Sequence, residues 1–324
     1  MTFLDFDDVL IEPGVSKKPL TRGMVNITPD GYIPIIIANM VTTGTFEAAE
    51  IASEQKFITF LSKEYVIEDY DQLIGLDQRY IGITTGVRPN DIKKTLQIIK
   101  RHPDIGYVNI DIANVGANVE GMISAITHIK EIYDGKVVAG NVATERLAIE
   151  MQSAGADIIK VGIGSGAACL TRTEVGVGVP QFSAIQNLSK VLDIPIISDG
   201  GCKTPGDVCK AIAAGANYVM LGGMFAGCKE FAGDDGYVNF FGLGSKQMYE
   251  TFVPTEIEYR PVEGRTIRLP ANKSLIDVMN QLKGALRSVC TYVGVDNIND
   301  LSNKSYFIKV KHQVNRSLEK YDVS

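Results

Sequence analysis

Short apolar runs recur along the chain at a regular spacing: residues 33–38, 57–61, 80–84, 107–110, 136–139, 157–161, 194–197 and 218–221. Most are apolar almost throughout, the pattern of parallel strands covered on both faces. Helical periodicity fills the gaps. Val119, Met122, Ile123, Ile126 and Ile129 share one helix face, as do Leu275, Val278, Met279, Leu282 and Leu286. Eight alternating units predict an α/β fold, a single (β/α)8 barrel over residues 1–324. A doubly wound open sheet also alternates, and the number of units favours closure.

Two gaps are longer than a β–α connection requires: residues 162–179 after the sixth strand, and about 226–272 after the eighth. Long loops inside a compact domain are usually functional, and in a barrel both rise from the face that carries the chemistry. The second contains Gly233-Asp-Asp-Gly236, a turn composition, and reads as a flap. The first contains Gly162-Ile-Gly-Ser-Gly-Ala-Ala-Cys169-Leu-Thr171. Its glycines permit backbone conformations closed to other residues, and it delivers a thiol, a candidate nucleophile, to the end of a strand. A buried structural cysteine on a glycine-rich connection is the competing reading.

The remaining strand ends present Asn39-Met40, Ser62-Lys63, Thr85-Gly86, Asp111, Gly140-Asn141, Asp199-Gly200-Gly201 and Gly222-Gly223. The last two groups follow strands seven and eight, where barrels of this kind hold phosphate on backbone N–H groups. Pro205-Gly-Asp207 then opens a helix. Asp199 suits ribose hydroxyls, or alternatively a helix cap. A phosphate, a ribose and a thiol on one face suggest a nucleotide whose base is attacked by sulfur. Such an attack needs a second acid/base group. Thr171 and Glu263, the latter on the flap, form a candidate proton relay, although a glutamate on a flap is most often simply solvated.

Composition narrows the partners. The net charge of −6 comes with no basic block, which argues against nucleic acid. No apolar run has the roughly 18–20 residues that cross a bilayer, and the acidic start has no basic signal-peptide region, so no membrane association and a cytoplasmic location are expected. Five cysteines without a C-x-x-C pair fit reduced thiols. The three histidines, His102, His128 and His312, fall at no predicted strand end, which disfavours Cys-His pairs, Ser-His-Asp triads and His-rich metal sites.

Several motifs occur in a familiar order. They are Phe6-Asp-Asp-Val-Leu10, Ile37-Ala-Asn-Met40 with Thr43-Gly-Thr-Phe-Glu47, Gly176-Val-Gly-Val-Pro-Gln181, Asp199-Gly-Gly-Cys202, Val219-Met-Leu-Gly-Gly-Met224 and Arg287-Ser-Val-Cys-Thr-Tyr-Val-Gly294. On these the chain resembles the IMP dehydrogenase/GMP reductase family over essentially its full length, its reductase branch above all. The chain has no room for the tandem regulatory insertion of the dehydrogenases. The resemblance implies a barrel, usually tetrameric, that converts GMP to IMP and ammonia with NADPH. It implies that Cys169 adds to purine C2, that Thr171 and Glu263 serve ammonia release, and that Lys63 lies near cofactor and C2. Asp199 would hold ribose, and Gly200, Gly201, Gly222 and Gly223 would surround the phosphate. Gly242, Ser245, Arg260 and Met40 would lie near the base. Thr85, Gly86 and Asp111 become candidate cofactor contacts, joined by Ser288 and Tyr292 of a neighbouring subunit. Carbonyls of Gly164, Gly166 and Cys169 become a candidate seat for a monovalent cation such as K+.

The chain departs from the family pattern at several positions. Ala167 stands where a phosphate-binding Ser is usual, with Ser165 as a substitute. Leu170 replaces a Thr, Val41 an Asp and Gly244 a Ser, and Ser62 and Glu64 replace histidines flanking Lys63. These leave room for a deoxy or modified guanine nucleotide. Oxidation of IMP by NAD, and purine sensing without turnover, remain alternatives. A flavin barrel would use the same phosphate position, but no residue demands flavin.

Overall fold

The computed structural model of the chain describes residues 2–242, 244–252 and 262–311. Eight parallel strands close into a barrel: β2 (Ile35–Ile37), β3 (Ile58–Phe60), β4 (Ile81–Thr85), β5 (Tyr107–Asp111), β6 (Lys136–Val142), β7 (Ile158–Val161), β8 (Ile196–Asp199) and β9 (Tyr218–Leu221). The first of them pairs with the last, Ile36 opposite Met220, so the sheet has no edge and the open-sheet alternative is excluded. The outer layer includes α1 (Phe46–Glu54), α2 (Pro89–Arg101), α3 (Val119–Lys130), α4 (Glu145–Ser153), α6 (Gln181–Leu188), α7 (Pro205–Ala213) and α9 (Leu275–Val293), with the short α5 (Thr171–Glu174) inside the cysteine loop and α10 (Leu301–Lys304) near the end. The periodic residues of α3 and α9 face the core as expected: Met122, Ile126, Ile129, Leu275, Val278, Met279, Leu282 and Leu286 are all buried.

Strand side chains alternate between two cores. Ile35, Ile37, Val219 and Leu221 face the helices, where most of the apolar area is buried. Ile36, Ile58, Phe60, Tyr107, Val138, Ile158, Ile197, Tyr218 and Met220 fill the barrel. Following the inward row towards the C-terminal ends, the residue types change. Tyr107 is succeeded by Asn109 and Asp111, Ile158 by Lys160, and Ile197 by Asp199. The lower barrel is an apolar plug and the upper barrel is polar, so the composition of the strands themselves sets which end is chemical.

Two further pairings lie outside the barrel. Strand β1 (Val9–Ile11) pairs antiparallel with β12 (Phe307–Lys309). Asp5, just before β1, grips the Arg172 guanidinium with both oxygens, at 2.6 and 3.2 Å, and accepts from the Gln181 amide. Burial alone would raise its pKa, but the hydrogen bonds from Arg172 and Gln181 outweigh burial and hold Asp5 below the usual carboxylate range. The segment before the barrel is thus tied to the helix that follows Cys169. The flap contains the antiparallel pair β10 (Tyr237–Phe241) and β11 (Thr266–Pro270), with α8 (Lys246–Phe252) between them. Gly233–Gly236 forms the expected turn into β10, with the Gly236 amide 3.0 Å from the Gly233 carbonyl.

Gly162 follows β7 directly with φ at 157°, and a β-carbon there would run into the carbonyl of Asp199. This close approach seats the cysteine loop against the end of β8. Gly162→Ala is therefore expected to destabilise the fold by about 2–4 kcal/mol, from backbone strain and overpacking together, read as a lowered urea midpoint.

Candidate active site

The cysteine loop and the flap meet edge to edge above the barrel. The Leu170 amide donates to the Glu263 carbonyl at 2.6 Å, and the Arg265 amide donates to that of Ala168 at 3.0 Å, which pins residues 263–265 beside Cys169. This pairing brings together three side chains that are far apart in sequence. The Cys169 thiol donates to Thr171 Oγ1 at 3.2 Å, and the Thr171 hydroxyl donates to Glu263 Oε2 at 2.9 Å. A hydroxyl has one proton and two lone pairs. Committing the proton to Glu263 leaves a lone pair for the thiol, so the chain S–H···O–H···carboxylate offers a route for a proton between sulfur and the glutamate. No histidine is needed for it. All three residues are half-buried.

The corner at the ends of β8 and β9, expected from the sequence to hold phosphate, is built from tight backbone. Gly200 has φ at 89°, and a β-carbon there would press on Ser165 Oγ and the Gly166 amide. Ser165 itself donates to the Asp199 carbonyl at 3.0 Å, so its hydroxyl braces the loop. Gly222 begins a helical turn in which its carbonyl accepts from the Phe225 and Ala226 amides. Among the described residues, the amides of Gly201, Gly222 and Gly223 reach no carbonyl, a set of free donors suited to an anion. The Ala167 methyl lies 3.2 Å from where a Gly223 side chain would start, and Met40 Sδ abuts Gly222. The cap of α7 is Thr204, held by reciprocal bonds with Asp207, so Asp199 is not a helix cap.

The upper barrel holds an ionic cluster that sequence reasoning missed in part. Lys160, 2% exposed, donates to Asp111 Oδ1 at 2.7 Å, to Asp199 Oδ2 at 3.2 Å and to Asn141 Oδ1. Asn141 Nδ2 donates to the same Asp199 oxygen at 2.8 Å, and Asn39 donates to Asp111 Oδ2 at 2.7 Å. Burial would strip the charge from Lys160, but the two carboxylates outweigh it and raise its pKa above that of an ordinary lysine. Burial likewise pushes Asp111 up, and Lys160, Asn39 and the more distant Lys63 together bring it below the usual range. Both partners are therefore ionised at neutral pH. A signal for Lys160 existed in the sequence: a lysine at an inward position of a buried strand needs an acidic partner.

The remaining candidates are placed differently. Lys63 is exposed at the mouth, and its carbonyl accepts from Lys94 at 2.8 Å. Thr85 is buried and donates to the Gly86 carbonyl, while Gly86 faces the Asp91 carboxylate with no room for a β-carbon, so this corner offers backbone more than side chains. Gly242 lies against Ala168, and Ser245, buried, accepts from the Met248 amide at the start of α8. Ser288 accepts from Arg22, and Tyr292 is 63% exposed; both lie on α9 in the outer layer, and among the described residues neither side chain is hydrogen-bonded to the mouth. Arg260 lies outside the described residues. All five cysteines are free, no described helix is long and apolar enough to cross a membrane, and no cluster of His, Cys, Asp and Glu among the described residues could hold a metal ion. Two grooves of about 500 Å³ occupy the outer layer, one between α2 and α3 and one beside α6 and α10. Neither is lined by a residue of the cysteine loop.

Comparison with known proteins agrees with this architecture. Residues 3–317 match the family described as IMP dehydrogenase / GMP reductase domain. The chain is 38% identical to a GMP reductase of Yersinia pestis, covering 97% of this chain and 96% of that protein. It is 36% identical to GMP reductases of Phytophthora infestans, over 96% of this chain and 92% of the relative, and of Onchocerca volvulus, over 99% and 94%. With the closed barrel, the cysteine loop and a match over nearly its whole length, the chain belongs to the IMP dehydrogenase/GMP reductase family.

Proposed function

We propose that the protein catalyses the reductive deamination of GMP, or a close guanine nucleotide such as dGMP, to IMP and ammonia. The observation that carries this reading is the hydrogen-bonded chain from Cys169 through Thr171 to Glu263. In the balanced reaction GMP, NADPH and two protons give IMP, ammonium and NADP+. The Cys169 sulfur adds to purine C2 as its proton passes through Thr171 to Glu263. The same pair returns a proton to the exocyclic amino group, which leaves as ammonia. A nicotinamide cofactor, when bound, would supply the hydride that C2 requires, and the Cys169 sulfur would then depart with the electron pair of the C–S bond.

The other residues bind and orient. Asp199 accepts from the ribose, and the free amides of Gly201, Gly222 and Gly223 take the phosphate beside Gly200 and Ser165. Met40, Gly242, Ser245 and Arg260 flank the base. Lys63, Thr85, Gly86 and Asp111 line the side proposed for the cofactor: the ammonium of Lys63 is close enough to lower the Asp111 pKa, and backbone is available at Gly86. NADPH is the form we assign. Ser288 and Tyr292 would serve a neighbouring site in a cytoplasmic homotetramer. The carbonyls of Gly164 and Cys169 accept no hydrogen bond among the described residues, and with that of Gly166 they would receive K+.

The test is the loss of NADPH absorbance with GMP and dGMP, with ammonia measured alongside. Consumption dependent on a guanine nucleotide, with stoichiometric ammonia, is the expected result. NADH formed from IMP and NAD instead would make the protein a dehydrogenase. Nucleotide binding without turnover in either direction would make it a sensor.

A further inference from the structure

The oxygens of Asp199 are unequally used. Oδ2 receives both Asn141 Nδ2 at 2.8 Å and the Lys160 ammonium at 3.2 Å, whereas Oδ1 accepts nothing among the described residues. Lys160 is anchored on its other side by Asp111, and Asp111 by Asn39 of the first strand end. The result is a continuous strut across the upper barrel, running from Asn39 through Asp111 and Lys160 to Asp199. Its only lysine is almost fully buried, so it does not itself reach a ligand in the mouth.

We propose that Lys160 is a positioning residue for nucleotide recognition. It holds Oδ2 of Asp199 inside the barrel, so that Oδ1 alone is turned to the mouth as the acceptor for the sugar hydroxyls. The inference rests on the reading of Asp199 as the ribose ligand. A carboxylate without the clamp rotates about its Cβ–Cγ bond and offers either oxygen, and the directional bonds to the sugar are lost. Because Lys160 also fixes Asp111, the sugar end and the proposed cofactor side of the mouth are kept at a set distance by one side chain.

The experiment compares GMP with 2′,3′-dideoxy-GMP, which lacks both hydroxyls that Asp199 could bind, using kcat/KM in the wild type, Lys160→Gln and Asp199→Asn. Lys160→Gln is expected to raise KM for GMP about ten- to a hundredfold, the worth of one charge-assisted hydrogen bond. KM for the dideoxy analogue should hardly change, so the preference between the two collapses towards one while kcat at saturation falls much less. Lys160→Gln/Asp111→Asn removes one charge of each sign and gives the same comparison if the single variant does not fold. Equal losses on both nucleotides would mean that Lys160 supports the barrel in general, and the proposal would be wrong. If Asp199→Asn leaves the preference intact, the ribose reading of Asp199 itself fails. If Asp199→Asn collapses the preference and Lys160→Gln does not, only the positioning role fails.

Discussion

Replacing Cys169 by alanine is expected to reduce turnover of GMP by about 10⁴-fold or more, the usual consequence of deleting a covalent nucleophile. Nucleotide binding should persist, because the groups assigned to phosphate and sugar, the amides of Gly201, Gly222 and Gly223 and the Asp199 carboxylate, do not depend on the sulfur. The fold should persist as well: Cys169 is only half-buried, and its loop is held by main-chain bonds to residues 263–265 and by Arg172 on Asp5. The measurement is NADPH consumption beside a binding titration. Activity that survived in this variant would remove the thiol from the reaction and leave direct hydride transfer to an unmodified purine.

The second large effect concerns Glu263. Glu263→Gln keeps the shape but removes the carboxylate that accepts from Thr171 at 2.9 Å. An amide can turn its N–H towards Thr171, which forces the hydroxyl proton back towards the sulfur and reverses the relay. Loss of a positioned acid/base group costs about 10²–10⁴-fold. The loss is expected in kcat, with KM for GMP nearly unchanged, since the side-chain hydrogen bond described for Glu263 is to Thr171 and not to the amides assigned to phosphate. A rise in KM at constant kcat would reassign Glu263 to binding. Single-turnover experiments separate the steps further: the variant should accumulate adduct or substrate, and it should release ammonia slowly.

The barrel was legible because strands covered on both faces must be apolar almost throughout. The predicted run at 33–38 contains β2, and the one at 218–221 coincides with β9. Boundaries drifted where polar residues continue a strand: the run at 136–139 extends as β6 to Val142 because Gly140 still pairs with Asp111 and Lys160. The β1–β12 pair left no trace in the pattern, since three-residue strands that alternate with exposed positions look like loops. In the site, the glycines and Cys169 announced themselves by type and spacing. The link from Thr171 to Glu263 spans 92 residues; the need for a second acid/base group suggested the pair and the family resemblance supported it, but a flap glutamate alone carries no sign of its partner. Lys160 is masked in the sequence by its place in an apolar run, and its inward parity with Ile158 is the informative fact.

The pairing of residues 9–11 with 307–309 has a consequence for synthesis on the ribosome. Asp5 is made early, yet the strand beside it is seated by residues that emerge about 300 positions later. The clasp of Asp5 on Arg172 and the bonds between Leu4 and Ser183 need no residue beyond position 183, whereas β1 gains its strand partner only when β12 emerges. A nascent chain that already holds the closed barrel is thus expected to carry β1 with an unpaired edge, open to a second chain, until residues 307–309 emerge.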